Sequence, residues 1–229
     1  MRKLSIFVCF LALSANAVFA TSPAEEPLLY TPIYTPPPFH PFLFGPHGPG
    51  FILFGGSLSY ASQNTAINNP WNATSIGFMF DWYQEFSETL GLYFPFSLGF
   101  ITGAEDNGVA LDMSQYGGVD LNMLVGIGYK LPLAKPFTTV LGAGLYWGLT
   151  PLLGSGASSS TDYYAGGIGA GIGATFVYSF VSWFGIGANV NFAYSFINPI
   201  DNGTTMSESG FKTWGGVGLV FFYPEKRYP

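Results

Sequence analysis

From Tyr163 to Tyr178 the chain reads YYAGGIGAGIGATFVY, with glycine at 167, 169, 171 and 173 and Ile168, Ala170 and Ile172 between them. A period of two belongs to a strand, whose successive side chains leave on opposite faces. A helix is a poor host for such a run, because each interior glycine costs roughly 1 kcal/mol relative to alanine. The same rhythm recurs at 51–60, 75–85, 91–102, 119–131, 137–149, 163–180, 185–197 and 211–223, which predicts eight strands. In 75–85 one face carries Ile76, Phe78, Phe80 and Trp82, and the other Gly77, Met79, Asp81 and Tyr83. In 185–197 the split is Ile186, Ala188, Val190, Phe192, Tyr194 and Phe196 against Gly187, Asn189, Asn191, Ala193 and Ser195. One face is bulky and apolar. The other is small or polar, and it holds the strand charges Asp81, Glu85, Asp120 and Lys130.

The connections alternate in length. Long polar stretches (ASQNTAINNPWNAT, GAEDNGVALDMSQYGG, TPLLGSGASSSTD and NPIDNGTTMSESG) follow the first, third, fifth and seventh segments. Short ones (FSETL, PLAKP and VSWF) follow the second, fourth and sixth. This predicts an all-β, antiparallel up-and-down meander with both termini on the short-turn side. Transmembrane barrels have the same asymmetry of short turns and long loops.

Direction and parity together place the outward aromatics at two heights. Trp82, Tyr129, Tyr178 and Tyr223 fall at the turn end; Tyr60, Phe100, Trp147, Tyr194 and Phe196 fall at the loop end. These are the expected interfacial girdles. An apolar face turned inward would instead need an overfilled soluble barrel with a glycine-rich, nearly uncharged exterior. Hydropathy windows near 137–158 and 165–187 offer membrane helices as a second alternative. Dense internal glycine, sustained alternation and scarce Lys/Arg in the loops oppose it.

Composition sharpens the picture. Charged residues make up 9% of the chain and aromatics 18%, whereas a soluble surface carries about a quarter to a third charged side chains. Residues 1–20, MRKLSIFVCFLALSANAVFA, have the basic start, apolar run and small-residue exit of a signal peptide. Cleavage is expected before Thr21, with Ala15-Asn16-Ala17 as a second possible site. The single cysteine, Cys9, lies within that signal, so the mature chain is not a disulfide-stapled domain. Removing Arg2 and Lys3 with it leaves thirteen acids against five bases, which argues against nucleic acid as a partner. Residues 21–50 hold nine of the seventeen prolines and are expected to form a flexible, polyproline-like segment on the periplasmic side.

Over residues 51–223 the chain resembles the small eight-stranded outer-membrane β-barrels, the outer membrane protein A/X/W-like group. The resemblance rests on strand count, loop asymmetry, outward apolar parity and the closing GVGLVFFY. In that group a glycine followed by hydrophobic or aromatic residues three and five positions on is read by the barrel-insertion machinery. Gly218, Phe221 and Tyr223 match, although Gly216 stands at the usual polar position and PEKRYP, residues 224–229, follows as a short tail. The resemblance implies a diderm bacterial outer membrane as location, its lipid as solvent, and the insertion machinery and periplasmic chaperones as partners.

Little in the sequence points to chemistry. Both histidines, His40 and His47, lie in the Pro-rich segment, so the barrel has none for an acid–base or nucleophilic system. No catalytic residue, cofactor or metal ligand is assigned. The glycine runs lack the G-x-x-x-x-G-K-[ST] phosphate loop. The inward charges are more informative. Asp120 and Lys212 are predicted near the loop end, and Asp81, Glu85 and Lys130 nearer the turn end, as two stacked ion-pair layers plugging the lumen. The alternative is a hydrated lumen with unpaired charges. The expected role is a structural, surface-exposed outer-membrane protein. Passive passage or binding of a small solute, whether polar or hydrophobic, is the first alternative, a soluble lipocalin-like carrier the second and a lipid-modifying enzyme the third.

Overall fold

The computed structural model describes residues 49–64, 70–154, 163–197 and 209–223. The signal segment 1–20, the Pro-rich segment up to residue 48 with both histidines, and the tail 224–229 lie outside them. The strands are β1 (Gly50–Asn64), β2 (Pro70–Glu85), β3 (Leu90–Asp106), β4 (Val109–Ala110), β5 (Tyr116–Leu131), β6 (Phe137–Gly154), β7 (Tyr163–Val181), β8 (Phe184–Ile197) and β9 (Ser209–Tyr223). Each long strand pairs antiparallel with its neighbours, and β9 returns to β1 in register from Gly50↔Tyr223 to Asn64↔Ser209. The eight long strands therefore close into a barrel without a free edge. The windows that hydropathy offered as helices are occupied by β6, β7 and β8.

The turn ends of the strands fall within a residue of the sequence expectation, but several loop ends run further. β1 reaches Asn64, β2 starts at Pro70 and β6 reaches Gly154. The apolar alternation stops where hydrocarbon stops, while the hydrogen-bond ladder continues into water, where either face tolerates polar side chains. Within the stretch read as one long loop, Asn107 and Gly108 both have positive φ, 51° and 77°. They make the two-residue turn that joins β3 to the short β4. The β2–β3 register shifts between Thr74 and Ser75. The shift gives β3 one extra residue, so that Ile101 and then Ala104, three positions on, are both buried.

Parity is as the alternation demands. Phe78, Leu145, Ile172 and Val217 are exposed on the outer wall, at 60–69%. The axis side is less uniform than the sequence suggested. Besides small and polar groups it contains Leu53, Tyr83, Tyr93, Leu124, Val140 and Val220, all fully buried. Glycine is what makes room for them. A β-carbon at Gly142 on β6 would fall on the Tyr93 ring, and one at Gly173 on β7 would collide with the same side chain and with Asn191. Gly171 likewise sits under Leu124. Gly171 and Gly173 of the β7 row thus leave space filled by Leu124 and Tyr93.

Gly142→Val and Gly173→Val should therefore each lose about 1–3 kcal/mol through overpacking. Heat-modifiability on gels is the readout, as a lower temperature at which the folded band disappears. Gly117→Ala, at a position where a β-carbon meets nothing within 4 Å, should leave that temperature unchanged.

Candidate functional site

Inward parity on β9 carries Lys212 into the lumen, and inward parity on β5 carries Asp120 there; both are buried, at 2% and 1% exposure. Their charged atoms are in direct contact. Thr150 of β6 donates to Asp120 Oδ1 at 2.5 Å, and its hydroxyl also meets Lys212 Nζ. On the other carboxylate oxygen, Asp120 accepts from Asn122 Nδ2 at 2.8 Å, from Ser75 Oγ at 3.1 Å and from Ser59 Oγ. Tyr146 closes the set by donating to Asn122 Oδ1 at 3.2 Å. A buried ion pair is tolerable only when its remaining hydrogen-bonding capacity is filled, and β1, β2, β5, β6 and β9 each contribute to filling it.

Lys130 and Glu85 meet at 2.5 Å near the turn end, with 30% and 11% of their side chains exposed. Asp81 joins neither pair. Its Oδ2 accepts from Thr175 of β7 and, at 3.3 Å, from Asn189 Nδ2 of β8. Tyr93 links the same group, lying 3.2 Å from Thr175 Oγ1 and donating to Asn191 Oδ1 at 3.1 Å. Among the described residues no three His, Cys, Asp or Glu side chains gather as a metal cluster.

Above the Lys212 layer, toward the loops, a second apolar cluster fills the barrel mouth. It comprises Ala61, Trp71, Ala73, Ile101, Ala104 and Leu152, with Leu111 and Met113 packed on it. The segment after β4 is tied down by Leu111 N donating to Ala104 O at 2.9 Å. The sequence pattern places Trp71, Leu111 and Met113 in polar loops. Their signal was present as isolated apolar residues in a polar stretch, but no periodicity marked them.

A furrow of about 670 Å³ runs along the outer wall, lined by Val125, Ile127, Leu141, Ala143 and Leu145. It exists because Ala143 is short beside its outward neighbours. Leu124, Val140 and Tyr146 lie buried on the axis side of the same strands, so the furrow faces lipid and does not breach the wall.

Solved structures share this architecture. The outer membrane protein OprG of Pseudomonas aeruginosa superposes with a TM-score of 0.50 at 12% identity, covering 77% of this chain and 96% of that one. Ail, the attachment invasion locus protein of Yersinia pestis, gives 0.49 at 14% identity over 77% and 99%. Neisserial surface protein A gives 0.46 at 13% over 77% and 99%. No protein-family model matches the chain, and no curated protein sequence matches it significantly. The fold is that of the small eight-stranded outer-membrane barrels.

In such a barrel the outward aromatics have a defined place. At the turn end Trp82 Nε1 donates to Tyr223 Oη at 2.7 Å, and that hydroxyl donates to Tyr83 O at 2.8 Å. Tyr178 packs edge-on against Phe137 and Phe180, and Tyr129 is exposed beside the β5–β6 turn. At the loop end Tyr60, Phe100, Trp147, Tyr194 and Phe196 are all exposed on the outer wall. In the final strand Gly218 lies inward opposite Gly55, while Phe221 lies outward against Phe184 at 5.7 Å.

Lys212→Ala should be costly, about 3–5 kcal/mol, because it leaves the Asp120 carboxylate buried without its cation. Lys130→Ala, at the half-exposed pair, should cost under about 1 kcal/mol. Denaturant unfolding in detergent micelles separates the two, and Lys212→Met combined with Asp120→Asn should recover most of the larger loss.

Proposed function

We propose that the protein is a small integral outer-membrane protein of a diderm bacterium. It is exported through the cleaved signal of residues 1–20 and inserted with the help of periplasmic chaperones and the barrel-insertion machinery. Its barrel is a rigid, closed anchor that presents the long connections outward and the Pro-rich segment to the periplasm. The observation that carries this reading is the filled lumen. An apolar cap around Trp71 and Leu152, the Lys212–Asp120 layer, and the Tyr93, Leu124 and Val140 core succeed one another along the axis. A barrel of eight strands is narrow enough for its own side chains to fill it.

The absence of histidine from residues 51–223 supports a non-enzymatic role. Outward exposure of Phe78, Leu145 and Val217 supports lipid rather than water as the surrounding medium and argues against a soluble carrier. Passage of an apolar solute would need a lateral opening, and the β5–β6 furrow faces outward only.

Planar-bilayer recording tests the anchor. The wild-type protein should give no unitary conductance. Lys130→Ala should stay silent as well, because Phe51, Leu53 and Tyr83 still fill the lumen beside it. Steady ohmic steps from the wild type would overturn the reading.

A further inference from the structure

Below the loop-end rim, where Asp106 stands, five charged side chains face the axis from the described strands: Asp81, Glu85, Asp120, Lys130 and Lys212. Two acid–base pairs account for four of them. Asp81 is left over. It is fully buried, and no cationic side chain among the described residues meets it. Its two hydrogen bonds, from Thr175 and Asn189, both go to Oδ2, while Oδ1 has no partner. Asn189, itself 6% exposed, also has a side-chain oxygen without a partner. An isolated buried carboxylate with half of its acceptor capacity unused is among the more expensive arrangements a protein interior can hold.

We propose that Asp81 is the carboxylate ligand of a monovalent-cation site inside the barrel, which holds a sodium-sized ion with Asp81 Oδ1 and Asn189 Oδ1 as side-chain ligands. Charge selects the valence, because the two ion pairs are internally neutral and one negative charge remains. Donor chemistry selects the class of ion: carboxylate and amide oxygens suit hard cations, for which the nearby Met79 thioether, lying over Gly216 opposite Asn189, is a poor ligand. The site is braced. Thr175 and Asn189 hold the carboxylate from β7 and β8, and Tyr93 from β3 ties Thr175 to Asn191. Asn191 Nδ2 and, opposite it on β9, Trp214 Nε1 are buried donors without acceptors. Water completing the ion's shell gives them partners. The remaining ionisable groups facing this network, Tyr83 and Tyr93, are neutral phenols and do not replace the ion. Lys212 is engaged by Asp120 and Lys130 by Glu85. The ion is enclosed as the barrel closes, because the Lys212 layer and the apolar cap seal the loop side.

The full chain, folded in detergent, is melted by heat-modifiability in sodium chloride and in choline chloride at equal ionic strength and pH. A specific site raises the midpoint in sodium by roughly 3–6 °C. In Asp81→Asn, which keeps shape and removes the charge, that difference should vanish. Should Asp81→Asn fail to fold, the wild type alone decides through a lithium, sodium, potassium and caesium series. An order by ion size supports the site. Equal midpoints in all four salts and in choline overturn it. So does a sodium effect of the same size in Asp81→Asn, which would assign it to the surface. A wild type indifferent to cations and matched in stability by Asp81→Asn would mean that Asp81 carries a proton instead.

Discussion

In hydrocarbon a backbone N–H or C=O has no water to turn to, so each strand must give all of its hydrogen bonds to a neighbour. A sheet of any finite width fails this test at its two edges. Pairing β9 with β1 along the full length of β1 removes both edges at once. The rest of the architecture follows from closing that ring with only eight strands. The wall is one strand thick, one set of side chains must face lipid, and the other must share a narrow axis.

That narrow axis explains the glycine content better than backbone flexibility does. Tyr93 can lie across the lumen only because Gly142 and Gly173 present no side chain beneath it. The same reasoning applies at the seam. Tyr223 on the last strand reaches past Gly50 on the first to the carbonyl of Tyr83 on the second, where a β-carbon at 50 would block it. The tyrosine at the end of the final strand thus has a closure role in the folded barrel.

Polar groups on the axis are held to a stricter standard than those on a soluble surface. Asp120 meets it through four hydrogen-bonding side chains and Lys212, drawn from strands far apart in sequence. Asp81 meets only half of it. The contrast between the two carboxylates, one saturated and one not, is the sharpest asymmetry within the lumen.

Much of this was legible along the chain. Number of strands, their direction, the lipid-facing parity and the two heights of outward aromatics all follow from a local period of two and from the lengths of connections. These are properties of neighbouring residues, and lipid on one side makes them strict. Where the ladder outran the apolar band, as at Asn64 and Gly154, the local signal ended before the strand did. The extra residue in β3 reversed its parity near the rim, and nothing in the local pattern announced it. In the lumen the inward residues were legible, and so were two charged levels, Asp120 with Lys212 near the loop end and Asp81, Glu85 and Lys130 nearer the turn end. That Thr150 and Thr175 serve the two carboxylates, that Leu111 and Met113 cap the mouth, and that Asp81 has no basic partner among the described residues were all decided by tertiary structure. The tilt and stagger of a closed barrel determine which inward positions share a level. Those quantities belong to the ring as a whole, so no single strand encodes them.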